Sequence, residues 1–310
     1  MREWFSRGRA WWRTRLSRWW GRFGPKASTR RLWRAAREAR QPWWRFIHTY
    51  AYARWPYGYI GSAIGERWQR RLLLPFFAPF LVRALFPQRW ADEYHGKVMP
   101  LEHATRLVQI KEPVNTVVPE QVMTFEGARD LILSDPDHIT VLDCPCRVAR
   151  KNPCLPLDVC LIVGEPFASF VLEHHPNKAR AITSQEAVDI LAAEAARGHV
   201  HHAFFKRAML DRFYAICNCC SCCCGAMSAH AHGTPMVVSS GYVTQINAHA
   251  CRACGACAQV CPFGAIQMSS RPQINIEACM GCGVCTHACP AGACHLVRDE
   301  GKPLPLDIPG

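Results

Sequence analysis

The first 143 residues contain no cysteine, although the whole chain contains 19. The first 90 residues also contain few acids: three glutamates, Glu3, Glu38 and Glu66, stand against 20 lysines and arginines and leave a formal charge of +17. The remaining 220 residues carry a formal charge of −4 and no tryptophan, because all 11 tryptophans lie in the first 90. The chain therefore has two chemically different parts, one basic and Trp/Arg-rich, the other cysteine-rich.

Several motifs are absent, and each absence excludes a class of protein. The sequence contains neither Gly-x-x-x-x-Gly-Lys-Ser/Thr nor Gly-x-Gly-x-x-Gly, so nothing supports nucleotide, flavin or NAD binding. Cys294-His295 lacks the upstream cysteine of a haem attachment motif. The apolar run from Leu72 to Phe86 is interrupted by two prolines and is shorter than the ~20 residues of a transmembrane helix. It predicts an interfacial, re-entrant or buried segment.

The location of the protein is predicted from its thiols and its N-terminal region. No apolar segment with a small-residue cleavage site opens the chain, and 19 cysteines are typical of a reducing compartment. We therefore expect a cytoplasmic protein. Export by a twin-arginine route is the alternative, since Arg30-Arg31 and Arg70-Arg71 are paired.

The C-terminal region contains Cys-x-x-Cys-x-x-Cys-x-x-x-Cys-Pro twice, with a period of 28 residues. Three thiolates of such a loop surround one 4Fe-4S cubane, and the fourth reaches the other cluster. The spacing predicts two ligand sets, Cys251, Cys254, Cys257 and Cys289 for one cluster and Cys279, Cys282, Cys285 and Cys261 for the other. Zinc is the alternative, but structural zinc favours two separated Cys-x-x-Cys pairs rather than three cysteines in succession.

The segment from about Tyr242 to Val297 resembles the bacterial-type two-cluster ferredoxins, including the glycines of Cys254-Gly255 and Gly281-Cys282-Gly283. This resemblance covers less than a fifth of the chain. It implies one-electron transfer through two 4Fe-4S clusters and a pseudo-twofold β-α-β fold.

The middle region, from 91 to 240, shows short apolar strands alternating with amphipathic helices, which predicts an α/β domain. We expect strands at His138–Leu142 and Val159–Val163 and helices at Phe125–Leu133, Thr183–Ala196 and Ala203–Tyr214. The second helix begins with the capping box of Thr183 and Glu186 and is closed by Gly198.

Ten thiols in this middle region predict a third metal site. Six of them fall within the eight residues from Cys217 to Cys224, and such a run is too reactive to be simple core filling. We predict Cys146, Cys160, Cys217 and Cys219 as ligands, because two strand-adjacent loops and one helix end would converge there. An iron-sulfur cluster and zinc both remain open.

The middle cysteines also resemble parts of known proteins. The Cys-Arg loop, the Cys-Leu-Ile-Val strand and the Cys-Asn-Cys-Cys run resemble the N-terminal half of some uncharacterised ferredoxin-like proteins. Cys154-x5-Cys160 with Cys220-x3-Cys224 is similar to sirohaem sulfite reductases, and Cys223-Cys224-Gly225 to heterodisulfide reductases. The tetrapyrrole pocket of the first and the two-copy motif of the second are not evident.

The basic part predicts an amphipathic helix from Thr29 to His48, kinked at Pro42. One arc of this helix is apolar, and it comprises Leu32, Ala36, Ala39, Trp43, Phe46 and Ile47. Tryptophan and arginine at this density are typical of a helix in the interface of an anionic membrane. An acidic protein partner is the alternative, and nucleic acid is a weaker one.

Together these patterns predict an α+β protein of three parts: a helical arm over 1–90 at a membrane surface, a cysteine-rich α/β domain over 91–240, and a two-cluster ferredoxin domain over 241–310. The predicted function is single-electron transfer to or from a redox protein partner, in a carrier or an electron-transfer subunit with no catalytic residue of its own. The alternative is an oxidoreductase subunit that reduces a sulfur compound or quinone at Cys217–Cys224. Such a protein would be cytoplasmic, peripheral on the inner face of the membrane.

Overall fold

The computed structural model describes residues 25–64, 94–123 and 129–308. The apolar run from Leu72 to Phe86 lies outside the described residues. The helices are α1 (Ala27–Glu38), α2 (Trp43–Arg54), α3 (Pro56–Ile64), α4 (Leu101–Gln109), α5 (Glu120–Met123), α6 (Pro145–Ala149), α7 (Phe167–His174), α8 (Ser184–Ala196), α9 (Gly225–Ala231), α10 (Ala256–Val260) and α11 (Val284–Ala288). The strands are β1 (Tyr94–Met99), β2 (Val114–Val118), β3 (Arg129–Asp143), β4 (Asp158–Glu165), β5 (Ala179–Ile182), β6 (Val200–Lys206), β7 (Arg212–Cys219), β8 (Val237–Val238), β9 (Tyr242–Ile246), β10 (Ile266–Met268), β11 (Pro272–Ile274) and β12 (Cys294–Arg298).

The middle of the chain forms one eight-stranded sheet in the order β2-β3-β4-β7-β6-β1-β8, with β5 paired to β3. The central pairings β3–β4, β4–β7 and β6–β7 are antiparallel. The mixture of this sheet with helices confirms the α+β class. Both faces of the sheet are covered, because the buried residues separate into two large cores.

Alternation along β7 shows which face carries the thiols. Ala215 belongs to the first core and Ile216 to the second, and Cys217 packs against the first again. The first core also contains residues of α1, α2, α7 and α9, whereas α4 and α8 contribute to the second. The cysteine-bearing face therefore lies under the N-terminal helices.

Two helices replace the single kinked helix predicted from Thr29 to His48. Helix α1 ends at Glu38, Arg40 has a positive φ of 52°, and α2 begins directly after Pro42. Proline disfavours the helical conformation of the residue before it, so the chain leaves one helix before it enters the next. The predicted apolar arc is divided between the two helices: Leu32 and Ala36 of α1 are buried in the first core, whereas Trp43 and Ile47 of α2 are exposed.

Two other helix predictions are wrong. Residues 129–133 of the predicted helix Phe125–Leu133 belong to strand β3, and residues 124–128 lie outside the described part. The predicted helix Ala203–Tyr214 is the β6–β7 hairpin, joined by a 3-10 turn at Arg207–Met209. Every residue of β6 is buried, so its sequence Val-His-His-Ala-Phe-Phe-Lys lacks the alternation of apolar and polar residues by which a half-buried strand is recognised.

The other local predictions for the middle region are confirmed. The segments His138–Leu142 and Val159–Val163 lie in β3 and β4. The Thr183 hydroxyl accepts a hydrogen bond from the Glu186 amide at the start of α8, and Gly198 has the expected positive φ of 78°. These features depend on a few neighbouring residues, which is why local patterns predicted them.

The C-terminal part repeats a strand, a short helix and a strand. Strand β9, helix α10 and strand β10 form the first half, and β11, α11 and β12 form the second. The first strand of the first half pairs with the last strand of the second half, since β12 is antiparallel to β9. Each helix starts after a glycine of positive φ, Gly255 (78°) and Gly283 (80°).

Candidate iron-sulfur and thiol sites

The C-terminal part brings four cysteines of the first predicted ligand set around one cavity of about 20 Å³. They are Cys251, Cys254, Cys257 and Cys289, which we call the first cluster set. Three come from the loop before α10 and from α10 itself, and Cys289 follows α11 in the other half. Cys294 borders the same cavity as a fifth thiol.

The other four cysteines surround a second cavity of about 10 Å³. They are Cys261, Cys279, Cys282 and Cys285, the second cluster set. Here the single distant residue is Cys261, which follows α10. The two halves thus exchange one cysteine each, in the arrangement that a pair of cubanes requires.

Backbone amides and one hydroxyl point at these sulfurs. The Ala265 and Ala293 amides donate to Cys261 Sγ at 3.3 Å and to Cys289 Sγ at 3.2 Å. The two alanines are equivalent in the 28-residue repeat. Thr244 Oγ1 lies 3.0 Å from Cys285 Sγ. Such donors stabilise thiolate charge and tune the potential of a cluster that the thiolates ligate.

The four cysteines predicted for a third site also meet, and two more thiols lie among them. The cavity is about 70 Å³ in volume and is bordered by eight cysteines. Six of them form a continuous chain of thiol contacts in the order Cys217, Cys160, Cys144, Cys146, Cys224 and Cys219. We call this space the six-thiol cavity. Sequence reasoning missed Cys144 and Cys224 as members of this set.

The pairing of strands explains part of the convergence. Cys160 on β4 lies opposite Cys217 on the antiparallel strand β7, and their sulfurs are 4.0 Å apart. Cys219 follows on the same face two residues later. The prediction that Cys217 lies at a helix end is wrong, because it lies within strand β7.

Burial and hydrogen bonds among the thiols raise the pKa of five members of the six-thiol cavity, which are Cys144, Cys146, Cys160, Cys219 and Cys224. Hydrogen bonding to Cys146 is the largest influence that raises the pKa of Cys144, and with burial it brings that pKa to about 12. A metal ion overcomes this preference for the protonated thiol, because it binds the thiolate and the proton is released. The donor set therefore suits a thiophilic cofactor.

Two tyrosines from different parts of the chain form one wall of this cavity. Tyr52 of α2 and Tyr214 of β7 share a hydrogen bond of 3.0 Å between their hydroxyls. Tyr57 of α3 donates to the Asp143 carbonyl, directly before Cys144, at 3.0 Å. Pro56 and Ile60 also border the space. The helices of the Trp/Arg-rich region therefore help to close the six-thiol cavity.

A second group of thiols lies beside this cavity. The sulfurs of Cys154, Cys220, Cys222 and Cys223 all lie within 4.8 Å of one another, and we call them the outer four-thiol group. Cys222 is exposed and Cys154 is half-buried. Local sequence patterns did not separate this group from the rest, because Cys154 and Cys222 are 68 residues apart.

The six-thiol cavity and the second cluster set border the same hydrophobic core. That core contains Cys219 and Cys224 together with Met280 and Val284 of the C-terminal part, and Cys282 packs against it. Ser239 and Ser240 attach the two parts further, since the Ser240 amide and the Ser239 hydroxyl both donate to the Met280 carbonyl. The second cluster set is therefore the one on the side of the middle domain.

Comparison with known families agrees with the geometry of the C-terminal part. The chain carries a ferredoxin-like iron-sulfur domain there. Residues 250–293 match the family of 4Fe-4S dicluster domains. A domain of this kind serves iron-sulfur electron transfer. No curated protein matches the chain.

Several large apolar side chains of α1, of α2 and of the junction between α2 and α3 are exposed. They are Trp33, Trp43, Trp44, Ile47 and Trp55, and Trp43 is 67% exposed. Arg45 lies over the Trp44 ring at 5.3 Å and Arg54 over the Trp55 ring at 5.6 Å. Within residues 25–64, 94–123 and 129–308, every helix is too short or too polar to cross a lipid bilayer.

Proposed function

We propose that this protein transfers single electrons through two 4Fe-4S clusters of bacterial ferredoxin type and a third iron-sulfur cluster in the middle domain. Cys251, Cys254, Cys257 and Cys289 would hold the first cluster, and Cys279, Cys282, Cys285 and Cys261 the second. The observation that carries this proposal is that each of these sets surrounds its own cavity. Bound clusters of this kind supply reversible one-electron chemistry.

The six-thiol cavity supports the third cluster by its size and donors. Its volume of about 70 Å³ exceeds the 20 and 10 Å³ of the two C-terminal cavities. Its walls provide six thiols, more than the four that one cubane needs. We propose Cys146, Cys160, Cys217 and Cys219 as its ligands, with Cys144 and Cys224 beside them. Zinc is the competing occupant.

The shared core sets an order for the three sites. Cys254 of the first cluster set is exposed, so an external redox protein would exchange electrons there. Cys282 of the second set packs against the core that also contains Cys219 and Cys224. Electrons would therefore pass between partner and six-thiol cavity by way of the second set.

The test is a count of iron and acid-labile sulfide in anaerobically purified protein. We expect about twelve irons per chain, four for each cluster. Cys257→Ser should lower the iron of the C-terminal domain, and Cys146→Ser that of the third cluster. About eight irons, unchanged by Cys146→Ser, would leave the two-cluster ferredoxin and refute the third cluster. A colourless protein without sulfide would refute the proposal as a whole.

We also propose that the exposed tryptophans place the protein on an anionic membrane surface in the cytoplasm. Indole rings partition to the headgroup region, and Arg45 and Arg54 beside them attract anionic lipid. Deleting residues 1–90 would also open the six-thiol cavity, so point variants test this better. The double variant Trp43→Ser, Trp44→Ser should lose flotation with anionic vesicles, whereas Leu155→Ser, also exposed, should not. Unchanged flotation of the double variant would refute the anchor.

A reductase subunit is the second candidate function, and one observation favours it. A cavity of about 320 Å³ adjoins Cys146 and is bordered by Tyr59, Arg150, Lys206 and His232. This volume is at the lower end of the range for small-molecule sites. The cationic lining would suit a quinone or an oxidised sulfur compound. Reoxidation of the dithionite-reduced protein by such a compound, abolished in Cys146→Ser, would support catalysis.

A further inference from the structure

The outer four-thiol group is more compact than either ferredoxin set. Its four sulfurs lie within 4.8 Å of one another, and among the described residues neither cluster set forms a group of three thiols that tight. In a cubane each thiolate binds a different iron, which keeps the sulfurs apart. A single tetrahedral zinc with Zn–S bonds of about 2.3 Å holds its sulfurs roughly 3.8 Å from one another. The upper limit of 4.8 Å and the Cys222–Cys223 distance of 3.7 Å fit one ion, and Cys154 Sγ and Cys222 Sγ, now 2.9 Å apart, would separate by about 0.9 Å to bind it.

The group joins two segments that have little regular structure. Cys154 lies in the loop between α6 and β4, and the other three lie in the turn between β7 and α9. The Cys154 amide donates to Cys223 Sγ at 3.5 Å, and Arg150 Nε donates to the Cys223 carbonyl at 3.1 Å. These contacts orient the loop toward the turn before any ion binds.

Position and charge separate the outer four-thiol group from the six-thiol cavity. Cys220 and Cys223 are buried and also line that cavity, whereas Cys222 faces solvent and Cys154 lies in a different loop. Four thiolates and one divalent cation leave two negative charges, which nearby cations stabilise. The guanidinium groups of Arg150, at the Cys223 carbonyl, and Arg147, within electrostatic reach of Cys220, supply positive charge.

We propose that Cys154, Cys220, Cys222 and Cys223 bind one structural zinc ion, distinct from the iron-sulfur clusters. All four ligands come from the protein, the pattern of a closed structural site rather than a catalytic one. Zinc has no redox chemistry, so its role would be to hold the polypeptide backbone of this turn in place. It would fix the turn whose neighbours Cys219 and Cys224 enter the six-thiol cavity.

The first test measures zinc and iron together in the full-length protein. About one zinc per chain is expected in addition to iron. Cys154→Ser and Cys222→Ser should each lose the zinc and keep the iron, whereas Cys146→Ser should lose iron and keep the zinc. Ser221→Ala, an exposed position in the same turn without a thiol, serves as the matched control and should keep both. Loss of about four irons in Cys222→Ser would mean that a cubane occupies the group and would overturn the zinc assignment.

A second test uses the unaltered protein, so it does not depend on the folding of a variant. Bound zinc should slow alkylation of the exposed Cys222 at least tenfold, and a zinc chelator should remove this protection while the brown colour remains. Cobalt(II) introduced in place of zinc should give the intense thiolate charge-transfer absorption of a tetrahedral site. Rapid alkylation without chelator, or a disulfide between Cys154 and Cys222 in the anaerobically purified protein before any chelator is added, would refute the proposal. Iron content decides the electron-transfer function independently of these outcomes.

Discussion

Arg147 and Glu194 form a buried ion pair directly behind the cysteines of the middle domain. Their side chains are 1% and 0% exposed, and Arg147 Nη2 donates to Glu194 Oε2. The same guanidinium donates to the carbonyls of Asn218 and Pro156. One residue of α6 therefore connects the Cys144–Cys146 segment to helix α8, to strand β7 between Cys217 and Cys219, and to the loop before β4.

Glu194 keeps its negative charge although its side chain is buried. Burial by itself would raise the pKa of Glu194, but hydrogen bonds from His199 and Arg147 and the charge of Arg147 hold it below its usual value. His199 Nδ1 lies 2.7 Å from Glu194 Oε2, and Arg197 lies 3.0 Å from Oε1. The carboxylate thus has three basic neighbours, of which Arg147 is the buried one.

We predict that Arg147→Met destabilises the fold by about 3 kcal/mol, since it leaves a buried carboxylate without its main partner. It should also reduce the iron content of the middle domain, because the Cys144–Cys146 segment loses the hydrogen bonds by which Arg147 connects it to α8 and β7. Anaerobic denaturant unfolding and iron analysis measure both effects. Arg197→Met is the matched control, because Arg197 bonds to the same carboxylate but is 46% exposed, and it should cost no more than about 1 kcal/mol. Equal effects of the two variants would contradict this interpretation.

Gly281 lies between Cys279 and Cys282 where another chain segment approaches closely. A Cβ added there would collide with the Tyr242 carbonyl and the Ser240 hydroxyl. We predict that Gly281→Ala displaces the Cys279–Cys282 loop and lowers iron at the second cluster set. Iron analysis and the EPR signal of the reduced protein provide the measurement.

Gly264 is a matched control for that substitution. It has the same φ of 63° as Gly281, but a Cβ there would enter open space. Gly264→Ala should therefore cost only about 1 kcal/mol, the backbone strain alone, and retain all the iron. If Gly264→Ala lost as much iron as Gly281→Ala, the collision would not be the cause.

Thr244 is expected to tune the second cluster set. Its hydroxyl lies 3.0 Å from Cys285 Sγ and donates to that sulfur when it is a thiolate. The hydrogen bond stabilises the more negative, reduced state, so Thr244→Val should lower the reduction potential. A bond of about 1 kcal/mol corresponds to a one-electron shift of roughly 40 mV. Spectroelectrochemical titration measures the shift.

The control for this variant is Thr286→Val. Thr286 lies in α11 beside Cys285, but its hydroxyl donates to the Gly283 carbonyl and not to a sulfur. Its replacement should leave the potential within about 10 mV of the unaltered value, well below the hydrogen-bond effect. An upward shift in Thr244→Val would contradict the proposed role.

Acid is expected to weaken the attachment of α1 to the sheet domain. Burial, reinforced by the charges of Lys26 and Arg54, lowers the pKa of His174 to about 4, and its Nε2 lies 3.0 Å from Thr29 Oγ1. The unfolded chain then binds a proton near pH 6.5 that the folded chain excludes. Stability is complete above about pH 6.5 and falls toward pH 4, by at most about 1.4 kcal/mol per pH unit.

The measurement compares unfolding of the protein and of His174→Gln between pH 7 and 5. The variant should be less stable at pH 7, where it lacks the stacking of His174 on Phe170, but should lose less on acidification. His249→Gln, at an exposed position, should retain the pH dependence of the unaltered protein. An identical slope in His174→Gln would assign the acid sensitivity to other groups.

The sequence alone predicted the features that depend on neighbouring residues. The two Cys-x-x-Cys-x-x-Cys-x-x-x-Cys-Pro motifs identified the ferredoxin-like domain, and the capping box at Thr183 located helix α8. Each is a local pattern whose geometry follows from a few backbone positions. The spacing also predicted which thiols would meet, and the structure brings both sets of four together.

The tertiary structure decided the features that depend on distant pairing. It divided the ten thiols of the middle domain into the six-thiol cavity and the outer four-thiol group, since strand pairing places Cys160 opposite Cys217 and loop packing places Cys154 beside Cys222. It made β6 and β7 a hairpin, because burial on both faces overrides helical propensity there. It placed Tyr52 of the basic region in the wall of the six-thiol cavity and Tyr57 at the Asp143 carbonyl, directly before Cys144. No local pattern encodes these contacts, because each joins residues that only the folded sheet brings together.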